Sequence, residues 1–289
     1  MERTIFDRKD AKRVKLPALM QCCIDLKPHR YENEVYINKK IDVTELAKFI
    51  EKKKSEGYHY TYFYAFMFAA AKMLYLRPKL NQFISNRHLY MHNDISLAFV
   101  AKEKLNDTSK ELMLTIIFKE DDTLDDVAKR IKESIDSIRV KKDVQKEDVN
   151  SAIDILAKLP NFIRVPIFGL IKIFGKLGLL PENLTKNNIY FSSMIISNLG
   201  SIGCGAIYHN LAEFGTSSSL ATFGEIKNEV VIDEKGKQII KKVCEVGVTL
   251  DERIADGFYF AKSVQMIETI LEHPELLEKS LSTPVESEK

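Results

Sequence analysis

A chain of 289 residues, 45% apolar and 29% charged, buries roughly three quarters of its unfolded surface on folding, which excludes the disordered and fibrous classes. Its 43 Lys and Arg against 41 Asp and Glu leave a net charge of +2, too small a field for a nucleic-acid partner. Cys22, Cys23, Cys204 and Cys244 form no CxxC pair and no metal-like spacing with histidine, so they read as free thiols of a cytoplasmic protein, not as a zinc site or disulfide framework.

The N-terminal stretch MERTIFDRKDAKRVK has charges but no apolar run behind them, which predicts no secretory signal. A strand is expected at 35–41. The segment DVTELAKFIEKKKSEG then reads as an amphipathic helix, with an Asp42/Glu45 capping box, Leu46, Phe49 and Ile50 on one face, and lysines before Gly57. YTYFYAFMFAAAKMLYLRP is bulky and apolar nearly all round until Pro78, the pattern of a core helix. Strands follow at 95–102 and 112–118. After DDTLDD, Leu124, Val127, Ile131, Ile135 and Ile138 recur at helical spacing behind acids that suit a helix N-terminus.

Residues 140–187 read as an insertion, charged in RVKKDVQKEDVNS and apolar in AIDILAKLPNFIRVPIFGLIKIFGKLGLLP. Pro160, Arg164, Pro166, Lys172 and Lys176 interrupt the apolar part too often for a spanning helix. Two readings compete: packing against the body or a partner subunit, and peripheral, in-plane membrane contact through 160–180. Strands are expected at 189–197 and 220–226, then a hairpin of 230–232 and 238–250 around DEKGK, turned by Gly236. A last helix at 258–271 presents Phe260, Val264, Ile267 and Leu271 and breaks at Pro274. No repeat or linker divides the chain, so one mixed α/β domain over 1–280 is expected, with a frayed tail at 281–289.

Phosphate-loop, dinucleotide, HExxH and GxSxG signatures are absent. The histidines stand singly apart from His88 and His92, which read as surface or packing residues before a strand. Two polar segments at strand ends are richer: Ser197-Asn198-Leu199-Gly200, and Asp251-Glu252-Arg253-Ile254-Ala255-Asp256-Gly257 before the final helix. Their structural readings are a strand-exit turn with Gly200 at positive φ, and a helix N-terminus capped by acids with Arg253 in an ion pair.

The order SNLG, hairpin, DERIADG and a helix ending in HPELL resembles the catalytic core of 2-oxo acid dehydrogenase dihydrolipoyl acyltransferases and, more distantly, chloramphenicol acetyltransferase, two families that share one fold. KIDVTELAKFIEKKK resembles their strand and helix before the core helix, RPKLNQFI their Pro-x-Leu-Asn turn, and FDRKDA the arginine-containing start of chloramphenicol acetyltransferases. The resemblance covers nearly all of the chain outside the insertion. It implies a chloramphenicol acetyltransferase-like two-layer α/β sandwich, with helices packed on a mixed sheet. The core pattern starts almost at residue 1, so a stand-alone member with no lipoyl-bearing or peripheral-subunit-binding module is expected.

One departure bears on activity. The family motif is His-x-x-x-Asp-Gly, whose histidine deprotonates the acyl acceptor; here Glu252 holds that place, while Asp256 and Gly257 match. The resemblance implies Glu252 as base, Ser197 as hydrogen-bond donor to the tetrahedral oxyanion, and Asp256 as organiser through a salt bridge to an arginine such as Arg8, with Asn198, Gly257 and Arg8 on the substrate side. A carboxylate is some two pKa units less basic than imidazole, unless neighbours such as Asp251 and Asp256 raise it. The implied function is acyl transfer from a coenzyme A, pantetheine or lipoyl thioester to a small acceptor. The thioester enters as substrate, and no metal or tightly bound cofactor is expected. The implied assembly is a homotrimer in which Glu252 and Ser197 meet only across subunits. The alternative is a catalytically silent member that binds a thioester or acts as a scaffold.

Overall fold

The structure, a computed structural model, describes residues 8–102, 111–140, 156–186, 188–233 and 235–285. Chain order runs β1 (Ala11–Val14), α1 (Ala18–Leu26), β2 (Glu34–Asp42), α2 (Thr44–Ser55), α3 (Tyr62–Leu76), β3 (Gln82–Ser85), β4 (His88–His92), β5 (Ile95–Lys102), β6 (Glu111–Phe118), α4 (Leu124–Val140), α5 (Asn161–Leu177), the single turn α6 (Glu182–Thr185), β7 (Met194–Asn198), β8 (Ser219–Ile232), β9 (Gln238–Asp251) and α7 (Gly257–Glu272). Among the described residues, six strands form a mixed sheet in the order β2-β9-β8-β7-β5-β6, and three form a small sheet in the order β1-β4-β3. β7 runs parallel to both β5 and β8; the remaining pairs are antiparallel.

Helices α2, α3, α4 and α7 cover one face of the large sheet. α3 explains the core: residues 65–74 are all buried, because the sequence offers a single charge there, Lys72. Phe66 stacks on Phe223 of β8 with centroids 4.2 Å apart. The opposite face of β7 and β8 carries a smaller cluster of Ile195, Leu211 and Leu220, under the 200–216 loop. The mixed α/β sandwich is thus as expected, and Gly236, at φ 77°, turns the long β8–β9 hairpin.

Several local expectations are corrected. The 189–197 strand opens instead as a 3-10 turn (Ile189–Phe191), because the Asn188 side chain accepts the Tyr190 N–H and caps it. The Asp42/Glu45 box is not formed: Asp42 accepts the Thr44 N–H and pairs with Lys241, while Glu45 pairs with Lys48. Gly200 is not at positive φ; a Cβ there would lie 2.6 Å from the Gly224 carbonyl oxygen, so close backbone approach is what demands glycine. Nor do residues 281–285 fray, since Leu281 is fully buried and its N–H donates to the Asp122 carbonyl. The Ile138 side chain, residues 141–155 of the insertion and the tail beyond 285 lie outside the described residues.

Candidate active site

β9 delivers the DERIADG segment at its C-terminal end. Asp251 is its last residue and is fully buried. It accepts three bonds from Arg253, from Nε at 2.8 Å, Nη2 at 2.7 Å and the backbone N–H at 3.2 Å, and Arg30 Nε lies 3.5 Å away. This explains the chain path locally: the two arginines also reach out, Arg253 to the Pro28 carbonyl and Arg30 to those of Ala212 and Gly215. Ile254 and Ala255 turn into the core. Asp256 then caps α7, accepting the Tyr259 N–H at 2.8 Å, and that bond holds its exposed carboxyl below the usual range.

Glu252 sits between these anchors. Its backbone N–H donates to the Asn33 carbonyl, while its side chain, 45% exposed, points outward with Lys27 Nζ at 3.7 Å. Asp251 is committed to arginines. Together with Asp256 and Gly257, Glu252 lines a cleft of about 490 Å³ between β2 and α7. Val35, Ile37, Phe260 and Val264 give it apolar walls, and Lys39 and Gln265 add polar ones. The walls follow from periodicity: residues 35, 37 and 39 share one face of a strand, and 257, 260, 261 and 264 one face of a helix.

Ser197 and Asn198 lie elsewhere, at the end of β7, and do not line the cleft. Strand alternation puts Ser197 with Ile195, on the sheet face opposite Ile196 and the helices. The Ser197 hydroxyl is half-buried, and among the described residues neither it nor the Asn198 side chain has a hydrogen-bond partner. The salt bridge between Arg8 and Asp256 is not formed. Arg8 is 1% exposed, pairs with Asp10, and donates to Ser85 Oγ and the Gly175 carbonyl; Asp256 spends its carboxylate on the helix cap. Within one chain the structure therefore brings together Glu252, Asp256 and Gly257, and leaves Ser197, Asn198 and Arg8 apart.

Residues 181–278, which contain both polar segments and the final helix, match the family model of the 2-oxoacid dehydrogenases acyltransferase (catalytic domain). No curated protein matches the chain. Among solved structures it is similar to a probable dihydrolipoamide acetyltransferase from Listeria monocytogenes, at 16% identity and a TM-score of 0.59, covering 91% of this chain and 94% of that one. It is also similar to a chloramphenicol acetyltransferase, at 12% identity and 0.55, covering 90% and 99%. A truncated catalytic core of the 2-oxoacid dehydrogenase multienzyme complex from Thermoplasma acidophilum gives 13% identity and 0.55, covering 90% and 98%. The fold is that of these acyltransferase cores.

On this acyltransferase fold, three residues that sequence reasoning did not single out shape the site: Lys27, beside Glu252, and Arg30 and Lys39. Only Lys39 left a signal, the alternation in β2. Lys27 and Arg30 come from the connection before β2, where no periodicity marks them. The His88/His92 pair sits on β4: His88 contacts Arg13 at the surface and His92 packs on Phe83, where burial pushes its pKa down to about 4. Among the described residues no cluster of three or more His, Cys, Asp and Glu is placed to hold a metal.

Proposed function

We propose that the chain transfers an acyl group from a coenzyme A, pantetheine or lipoyl thioester to a small thiol or hydroxyl acceptor in the cytoplasm. The site pairs Glu252 and Asp256 with the partner subunit's Ser197 in a homotrimer. The observation that carries this reading is the position of Glu252 on the rim of the β2–α7 cleft, four residues before the aspartate that caps the next helix. In the similar dihydrolipoamide acetyltransferase of Azotobacter vinelandii, the catalytic mechanism was examined at a serine, a histidine and an asparagine, the last two also four positions apart. The placement of Ser197 on the other sheet face, with an unengaged hydroxyl, supports a site completed between subunits.

In the proposed step the acceptor sulfur or oxygen bonds to the thioester carbonyl carbon while its proton passes to the Glu252 carboxylate. The carbonyl electron pair moves onto oxygen, where the Ser197 hydroxyl donates to it. Collapse then breaks the carbon–sulfur bond, and the departing thiolate regains the proton from Glu252. Because a carboxylate is a weaker base than imidazole, thiol acceptors, which ionise more readily than alcohols, are favoured.

The test is an acyl-thioester transfer assay. Glu252→Gln keeps the shape and removes the base, so the rate should fall by about 10²-fold or more; Glu252→His should raise it near neutral pH. An unchanged rate in Glu252→Gln would remove Glu252 from the chemistry. A parent protein that binds thioester without turnover would make the chain a silent binding member. Sedimentation as a stable monomer of the 33.1 kDa chain would overturn the shared site.

A further inference from the structure

A hollow of about 210 Å³ opens where four segments meet: the connection before β2, the β3–β4 turn, the C-terminal end of α5 and the loop before β8. It shares no lining residue with the β2–α7 cleft; Glu252 lines the cleft and its neighbour Arg253 the hollow. Its wall is cationic. Arg30, Arg87, Lys176 and Arg253 line it together with one acid, Glu213.

The charges do not balance. Arg87 pairs with Asp25 at 3.2 Å. Glu213 stands 3.8 Å from Lys176 Nζ and also accepts the Arg30 backbone N–H. Arg30 and Arg253 share a single carboxylate, that of Asp251. Among the described residues four cations therefore meet three acids, and the surplus falls on the inner pair, whose side chains are only 4% exposed. A buried charge without a full counter-charge is costly, and an anion in the hollow would supply one. Donors are also left over. Arg30 Nε is buried without a hydrogen-bond partner. At the mouth Arg87 spends only Nη1, on Asp25, and neither Lys176 Nζ nor the Asn86 side chain donates a hydrogen bond among the described residues. The turn that carries Asn86 and Arg87 holds both at positive φ, 46° and 62°, a backbone that arginine adopts rarely. We infer that the hollow binds a small oxyanion, the phosphate or carboxylate group of a metabolite, between Arg30 and Arg253 within and Asn86, Arg87 and Lys176 at its mouth.

Calorimetric titration with inorganic phosphate, at constant ionic strength and with chloride as the control anion, tests this. One phosphate per chain should bind saturably. Arg87→Gln and Lys176→Gln remove exposed cations at the mouth and should each weaken binding about tenfold or more. Lys172→Gln, on the same helix but outside this hollow, should leave binding unchanged. A parallel titration with succinate separates the two sources: response to phosphate alone assigns a phosphate group, and response to succinate alone a carboxylate. No heat from either anion beyond that of chloride would overturn the inference, as would undiminished affinity in the double variant Arg87→Gln, Lys176→Gln. An equal loss in Lys172→Gln would also overturn it, by reducing the effect to general attraction toward a basic helix.

Discussion

Removing Asp251 should be the most damaging single change in the candidate site, although its side chain faces away from the cleft. Its carboxylate is fully buried and neutralises two guanidinium groups whose side chains are only 4% exposed. Asp251→Ala leaves Arg253 buried without its paired carboxylate and Arg30 with Glu213 alone, a loss of about 3–5 kcal/mol. At about 2–4 °C per kcal/mol for a chain of this size, the melting temperature should drop by about 10 °C. The damage should also reach the 204–215 loop, because Arg30 holds the Ala212 and Gly215 carbonyls and its N–H donates to Glu213. Limited proteolysis of the variant should therefore cut there first. Combining Asp251→Ala with Arg253→Ala should cost less than the sum of the singles. Asp256→Ala, which loses an exposed helix cap, should shift the melting temperature several-fold less. If Asp256→Ala proved as destabilising as Asp251→Ala, the assignment of the buried ion-pair network would be refuted.

Phe66→Ala should cost about 3–5 kcal/mol in urea unfolding, since it empties the stack on Phe223 in a core with little freedom to collapse. Gly200→Ala forces a Cβ against the Gly224 backbone and should cost about 1–3 kcal/mol; because the turn follows Ser197 directly, transferase rate should fall beyond what the melting shift explains. Lys72 is buried with its Nζ donating to the Ser280 carbonyl, and burial lowers its pKa to about 8. The unfolded chain holds that proton up to about pH 10.4, so the Lys72 contribution to stability rises with pH between about 8 and 10.4. Lys72→Met should remove that rise, which denaturation curves of parent and variant across the window will show.

What could be read from the chain depended on how much periodicity each element carried. α3 and α4 announced themselves because ten or more residues repeat one burial pattern. The β8–β9 turn did so because Gly236 sits between 230–232 and 238–250, although 220–226 and 230–232, read as separate strands, run on as the single strand β8. β1, β3 and β4 escaped: each has four or five residues, too few for alternation to show. The β3–β4 turn is made by Asn86 and Arg87, both at positive φ, where arginine gives no turn signal. At the site, Glu252, Asp256 and Gly257 were legible through the resemblance to the His-x-x-x-Asp-Gly motif, while the residue pattern alone offered an acid-capped helix N-terminus. The ion pair expected for Arg253 is formed, with Asp251, and the cap expected of the acids is made by Asp256; the pair expected between Asp256 and Arg8 is not, since burial of a carboxylate depends on which side of the strand end it leaves, and adjacent acids in DERIADG do not reveal that.

The β8–β9 hairpin outruns its neighbours. β7 accompanies β8 only as far as Phe223, and β2 accompanies β9 only from Val243 onward. The remaining strand ends, pairing Asn228 with Lys242 through Ile232 with Gln238, form a two-stranded ribbon with Val230, Ile232 and Ile240 exposed. Such a ribbon is marginally stable without a third strand or a covering helix. Amide hydrogen exchange should therefore grade along one continuous pair of strands: slow where Val246 and Phe223 share the core, and fast by local opening toward Gly236. The hairpin can unzip from its tip while the end that carries Asp251 and Glu252 stays closed, so motion at the tip is insulated from the cleft.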